Sequence, residues 1–347
     1  MNLVILLIVT ACLAFCNAQF VLTSCHDNTT RLTSCSIALW DEGMFGLNYP
    51  YQSSDTNNTN WNNAAPVYPL REMDALSQSQ WFGHGYTAYP PATGKFMVLP
   101  SGGLYSGDVG CNREVTRLRN PTITDPLGEF ACPGAAGIGA LHVMNRFNET
   151  VNNIWFGGTS LAIAYTSNPA TLQPNDMTVI SVSQNSVWFR EANYSIPAGL
   201  PPCPAGGCLC TWNWIHEANH GEGYPYEIYN NLYRCEVTGE TNSKNVVQRG
   251  AVPVDCTGSS STCVRGPKTP MYLYQLDGNN LPHLDVPPSY NDNWGFSDGP
   301  QTDIFIPAST PAPKTYLANA YATPTGTVTG TYVTISTRRD HALNSSV

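Results

Sequence analysis

The sequence predicts an all-β fold, an immunoglobulin-like or fibronectin-like β-sandwich with long loops and disulfide bonds. Three observations carry that expectation. Short runs that alternate apolar with polar residues, or are β-branched and aromatic, recur between clusters of Gly, Pro and Asn. Convincing helical periodicity of any length is absent. Twelve cysteines accompany a leader-like N-terminus, the pattern of an oxidising compartment.

The elements follow in chain order. Residues 1–18, "MNLVILLIVTACLAFCNA", are an apolar run with small residues near its end, read as a signal peptide rather than a membrane span. Residues 19–35 form an N-terminal extension, 36–306 the β-sandwich domain, and 307–347 a Thr/Pro/Ser-rich tail. Within the domain the strand-like runs are "GKFMVLP", "TSLAIAYTS", "MTVISVSQNSVWF", "CLCTWNWIH", "YEIYNNLYRCEVTG" and "PMYLYQL"; the tail offers one more, "GTYVTIST". No later stretch approaches the length of a membrane span, so a secreted, extracellular monomer with no membrane partner is expected.

Cys12 and Cys16 lie in the leader. The ten that remain, Cys25, Cys35, Cys111, Cys132, Cys203, Cys208, Cys210, Cys235, Cys256 and Cys263, are an even count and argue for disulfides, with metal ligation by Cys208 and Cys210 weighed beside it. Sequons at Asn28, Asn57, Asn148, Asn193 and Asn344 fit the same compartment and mark glycosylation sites. A formal charge of -9 with only 16 Lys and Arg argues against a nucleic-acid partner. A surface poor in charge and rich in Tyr, Trp and Asn suits neutral polymers such as polysaccharides, and equally suits many glycosylated extracellular β-proteins.

One motif points elsewhere. "HEANHGEGYPY", residues 216–226, carries the letters of a zinc metallopeptidase, with His216 and His220 four apart and Glu217 between them. The extended pattern breaks at Tyr226, where a third ligand belongs. The pairing also needs a helix, yet "CTWNWIH" alternates like a strand, and Asn219, Gly221, Gly223 and Pro225 are poor helix formers. The alternative is a strand ending in His216, a Gly-rich loop, and a return strand on which Glu227 and Tyr229 share one face. If the two strands pair, His216 meets Glu227 and Tyr229, a plausible metal surround.

Those residues, "WIH" followed by "EIYNNLYRCEVTG", resemble the metal-site segment of fungal lytic polysaccharide monooxygenases. The closest likeness is to the xylan-active family, auxiliary activity family fourteen. "IALWDEGMFGLNYPY", "WFGHGYTAYPPATGKFMVLPSGG", "SLAIAYTSNPATLQPNDMTVISVSQNSVWFR", "PPCPAGGCLCTWNWIH", "GPKTPMYLYQLDGNN" and "YNDNWGFSDGPQTDIF" extend the resemblance over most of residues 36–306. It implies a copper cofactor held by a histidine brace and oxidative action on plant cell-wall polysaccharide, xylan associated with cellulose. Carried over by position, His142 is the second brace histidine and Tyr229 the axial ligand. His216 and Glu227 become groups that hydrogen-bond the bound oxygen species. His84, in "WFGHGY", also matches a family position, either near the substrate surface or as a structural histidine; His220, His283 and His341 are read as structural.

The departure is at the first ligand. The family's mature chain begins with histidine just ahead of "IALWDEGMFG", and Ser36 stands there, behind an extension that the family pattern lacks. Cleavage after Ala18 exposes Gln19. Cleavage after Cys25 would expose His26, at the loss of Cys25, whereas a Cys25–Cys35 disulfide would pin the extension. The alternative to an enzyme is therefore a non-catalytic member that binds polysaccharide or copper.

Overall fold

The computed structural model describes residues 37–47, 68–111, 113, 116–118, 131, 157–187, 189–216 and 226–306. Among them ten strands are seen: β1 Ala38–Trp40, β2 Leu70–Arg71, β3 Met97–Ser101, β4 Leu104–Gly110, β5 Thr159–Ala164, β6 Thr178–Ser183, β7 Glu191–Ser195, β8 Cys208–Ile215, β9 Glu227–Gly239 and β10 Gly299–Pro300. The one α-helix among the described residues is the single turn Gln78–Trp81. Residues 1–36, with Cys25, Cys35 and Ser36, residues 307–347, and Cys132, His142, Glu217, His220 and the sequons other than Asn193 lie outside the described residues.

β1, β4 and β7 form a small antiparallel sheet in the order β1-β4-β7. The other seven form a larger sheet in the order β10-β6-β5-β8-β9-β2, with β3 pairing β9 in parallel. Leu39, Tyr105, Val109 and Tyr194 of the small sheet pack on Leu161, Ile163, Trp212, Trp214 and Tyr233 of the large one in a shared core. This is the all-β, disulfide-bonded sandwich expected. The large sheet is covered on its other face as well. Ala162, Leu209, Ile215, Ile228 and Leu232 pack under Trp81, Phe82, Tyr272, Leu273 and Phe296, which come from the long connections. Burial on both faces explains why β5 and β8 are buried at every position and why their sequences read as near-continuous apolar runs.

"PMYLYQL" is not a strand, although Met271, Tyr272, Leu273 and Tyr274 are buried. Side chains replace the ladder: the Met271 and Tyr272 amides donate to Tyr290 Oη at 3.1 Å and Asn280 Oδ1 at 2.8 Å. Tyr274 adopts a left-handed φ of 67° that breaks the pleat. Conversely, sequence reading passed over the whole small sheet. β4 carries glycines and an aspartate, and they are structural. A Cβ on Gly107 would stand 2.6 Å from Leu39 Cδ1 and 2.9 Å from the Tyr105 ring. Asp108 is buried and bonded by Arg117 Nε at 2.8 Å.

Three disulfides join described cysteines: Cys203–Cys208, Cys210–Cys235 and Cys256–Cys263. Cys111 is disulfide-bonded too. Cys208 and Cys210 are thus oxidised, so the metal-ligand alternative for this pair is excluded. Cys210–Cys235 crosses from β8 to β9 in the middle of the core. Replacing both cysteines by alanine is expected to lower stability by about 3 kcal/mol, the loop-closure value for a separation of this size. Chemical denaturation of the two proteins under non-reducing conditions measures it.

Candidate functional site

The pairing of β8 with β9 builds the site. Ile215 lies opposite Ile228 and Trp214 opposite Tyr229. The ladder continues one residue further, where the His216 amide donates to the Glu227 carbonyl at 3.2 Å. Side chains alternate along a strand, so Trp214, His216, Glu227 and Tyr229 fall on one face, the face that meets the small sheet. The sequence-derived trio is therefore brought together as a strand end. His216 extends this ladder, and that backbone geometry favours the strand reading of "HEANH" over the helical zinc pair.

Aromatic packing fixes the orientation of the groups. The Tyr229 ring stacks on Trp214 with centroids 5.0 Å apart and planes 28° apart. Trp214 also meets the His216 imidazole, with centroids 4.8 Å apart. The Tyr229 hydroxyl donates to Glu227 Oε1 at 3.1 Å. His216, Glu227 and Tyr229 are all buried, with relative exposures of 0%, 3% and 1%.

Burial sets the protonation of this cluster. Removal from water disfavours the charged carboxylate, and the Glu227 carboxyl is pushed up to about 8 against the opposing pulls of the Tyr229 hydrogen bond and Arg71. Arg71 sits opposite Glu227 in the β2–β9 register. Its guanidinium is engaged with Asp74, Nε to Oδ2 at 3.0 Å and Nη2 to Oδ1 at 2.9 Å. At neutral pH Glu227 is thus mostly protonated, an acid that can donate a proton beside a phenol and an imidazole.

A second histidine supports the strand from its edge. His84 is 2% exposed, as its structural reading expects. Its Nδ1 lies 2.7 Å from the Asn230 carbonyl and its Nε2 2.8 Å from that of Tyr68. Gly83 donates its amide to Asn230 Oδ1 at 2.7 Å. Gly83 and His84 reach these positions through left-handed φ values of 58° and 52°. Burial lowers the His84 pKa to about 4, so the ring is neutral and donates to one carbonyl. The imidazole stands 6.5 Å from the Tyr229 ring and pins the residue next to it. His283, read as structural, bonds Glu72 through Nδ1 at 2.9 Å at the surface.

Sequence reading singled out His216, Glu227 and Tyr229 but not Trp214, although strand alternation already places Trp214 on their face. Arg71 and Asp74 carry no local signal, since only the β2–β9 pairing brings them near. Among the described residues no group of three His, Cys, Asp or Glu side chains is arranged to hold a metal. The described part offers a phenol oxygen and an imidazole; the nitrogen ligand expected from His142 lies outside the described residues.

Comparison with known proteins gives a consistent picture. The model of the family "Lytic polysaccharide monooxygenase AA14" matches residues 18–347. An AA14 family lytic polysaccharide monooxygenase B of Trametes coccinea is 34% identical over 287 residues, covering 79% of this chain and 64% of that protein. Its counterpart in Pycnoporus cinnabarinus is 34% identical over 286 residues, 79% of this chain and 71% of that protein. A monooxygenase A of Trametes coccinea is 33% identical over 288 residues, with 79% and 62% covered. The chain thus spans less than two thirds of the two Trametes relatives.

The raised Glu227 pKa makes stability depend on pH. A group whose pKa is raised by folding contributes stability that is fully present below its unfolded value, near 4.5, and lost as pH rises through the folded value, about 8. Glu227→Gln mimics the protonated form and is spared that loss. In chelator-treated protein its Tm should match the parent at pH 5 and exceed it increasingly towards pH 9; a constant difference would refute buried ionisation at Glu227.

Proposed function

The chain belongs to the AA14 family of lytic polysaccharide monooxygenases, and on that premise we propose that it is a secreted, copper-dependent enzyme that oxidatively cleaves xylan associated with cellulose. The observation that carries the reading is the buried Tyr229–Glu227 hydrogen bond on one strand face with His216. It places an oxygen donor and a proton-bearing acid at one point, the end of β8 and β9.

The donor set suits copper in kind, since imidazole nitrogen and phenol oxygen are ligands that this metal accepts. His142 and Tyr229 would hold it. Copper, when bound, would supply one-electron activation of oxygen or peroxide for hydroxylation of a C–H bond next to the glycosidic linkage. The chain's own groups have separate tasks. Trp214 fixes the Tyr229 ring by stacking, so its oxygen is held at one place. Glu227 stores a proton at neutral pH at its carboxyl, beside the reacting centre. His216, held by the strand ladder and by Trp214, presents an imidazole on the same face for hydrogen bonding. Closure of this end to bulk water strengthens each of these interactions.

A second reading is a non-catalytic member that binds polysaccharide or copper without turnover. What supports it is the resemblance, which sets Ser36 at the position of the family's first ligand, an N-terminal histidine.

N-terminal sequencing of the secreted protein separates the two. A start at His26 would expose an N-terminal histidine, and a start at Gln19 would expose none. Copper titration followed by electron paramagnetic resonance tests the enzyme reading directly. A sub-micromolar type 2 copper signal, lost in His142→Ala and altered in Tyr229→Phe, is expected. Absence of copper binding rejects it, and binding without soluble oxidised oligosaccharides from xylan-coated cellulose supports the second reading.

A further inference from the structure

At the seam where β3 of the large sheet turns into β4 of the small one, an open groove of about 350 Å³ has Phe96, Val98 and Pro100 on one side, Leu104 and Ser106 on the other, and Asp41 and Glu42 beside them. Its character is mixed. Val98 and Leu104 are 48% and 57% exposed, so two large apolar side chains stand in solvent here. Beside them are the exposed Glu42 carboxylate, the Ser106 hydroxyl, and Asp41, whose Oδ2 accepts from Tyr105 at 2.8 Å. Apolar surface with adjacent carboxylates and hydroxyls is the chemistry that receives a sugar ring, whose C–H faces are apolar and whose edge is hydroxylated.

The sheet register says which sugar is at hand. Asn193 of β7 is the direct partner of Ser106 in β4, and Leu104 is the partner of Ser195. Directly opposed residues point to the same face, so the Asn193 side chain emerges beside the groove wall. Asn193 is exposed, and with Tyr194 and Ser195 it forms a glycosylation sequon. Tyr194 points the other way, into the core, where its hydroxyl meets Thr159 Oγ1 at 2.6 Å. The Asn193 amide donates to Glu191 Oε1 at 3.3 Å. A glycosylated amide keeps one N–H, so this contact is compatible with glycosylation.

We infer that Asn193 carries an N-linked glycan whose first sugars lie in this groove, covering Val98 and Leu104 and hydrogen-bonding the Glu42 and Ser106 rim. The inference rests on the secreted location proposed above. In the transfer the Asn193 amide nitrogen bonds to C1 of the reducing-end sugar of a lipid-linked oligosaccharide diphosphate. The C1–O bond to the diphosphate breaks, the lipid diphosphate leaves with the bonding electrons, and the amide proton passes to a base of the transferase. β7 is an edge of its sheet, and Leu104 on the strand paired with it is exposed; a hydrophilic group that covers such a surface disfavours association.

The test uses the full chain secreted from a glycosylating host and recovered from the medium, so that failure of secretion is scored separately. Peptide mapping before and after peptide-N-glycosidase should show Asn193 occupied. Removal of the glycan from the folded protein, and the variant Ser195→Ala, which abolishes the sequon but keeps Asn193, should both raise amide hydrogen exchange of residues 97–106 several-fold. An unoccupied Asn193 in secreted protein overturns the inference. So does an occupied Asn193 whose removal leaves that exchange unchanged, because the sugar would then point to solvent. Enzymatic removal needs no variant to fold.

Discussion

The antiparallel pairing of β8 with β9 is the constraint on which the rest of the structure depends. It runs from Cys208 opposite Cys235 to Ile215 opposite Ile228, and Cys210–Cys235 locks it near one end. The rest of the large sheet grows from this pair: β2 and β3 add to β9, β5 adds to β8, and β6 and then β10 follow beyond β5. The crossing of the chain over β9 is equally tight. A Cβ at Gly43 would stand 2.5 Å from the Arg234 carbonyl. Because one residue of register slip would exchange the faces of a strand, the same pairing decides that Trp214, His216, Glu227 and Tyr229 meet on one side.

A sheet covered on both faces leaves its polar residues no water, so they must satisfy each other. Asn213 and Asn230, which face each other across β8 and β9, do this with a bond of 2.7 Å, and Asn213 also reaches Ser160 at 3.3 Å. The free edge of β9 is closed in the same manner. The Phe45 amide donates to the Leu232 carbonyl at 2.9 Å, and His84 lies against the Asn230 carbonyl. Residues of β9 beyond Tyr229 are thus held by a backbone amide and an imidazole from distant segments. This is how Gly83 and His84 of "WFGHGY" contribute to the site from a buried position.

The part of this organisation that depends on nearest neighbours is legible in the sequence. Alternation in "CLCTWNWIH" and "YEIYNNLYRCEVTG" is enough to place His216, Glu227 and Tyr229 together. Two-sided burial does not disturb that reading, because the two strands are consecutive in the chain and pair antiparallel. What escapes is whatever depends on close approach between distant segments. β4 looks like a loop because Gly107 has to make room for Leu39 and Tyr105. "PMYLYQL" looks like a strand because an irregular segment that covers a sheet needs the same apolar residues as a strand, while its amides are satisfied by Tyr290 and Asn280 from elsewhere in the chain. Arg71 and Asp74 escape for the same reason. Their role near Glu227 follows from a pairing of two residues, Leu70 with Ile228 and Arg71 with Glu227.

That short pairing decides the chemical character of the site. An arginine opposite a buried glutamate would ordinarily hold the carboxylate ionised. Here the guanidinium is already engaged by Asp74 through two hydrogen bonds, and Asp74 itself repels a second negative charge at Glu227. The net field of the pair is small, and desolvation wins. Glu227 therefore keeps its proton at pH values where an exposed glutamate has lost it, and the Tyr229 hydroxyl is shared with an acid rather than with an anion. The phenol donates its proton to this carboxyl, and a neutral acid draws that proton less than a carboxylate would, so the Tyr229 oxygen carries less phenolate character. The proton inventory of this strand end follows from a pair of charges that cancel each other one strand away.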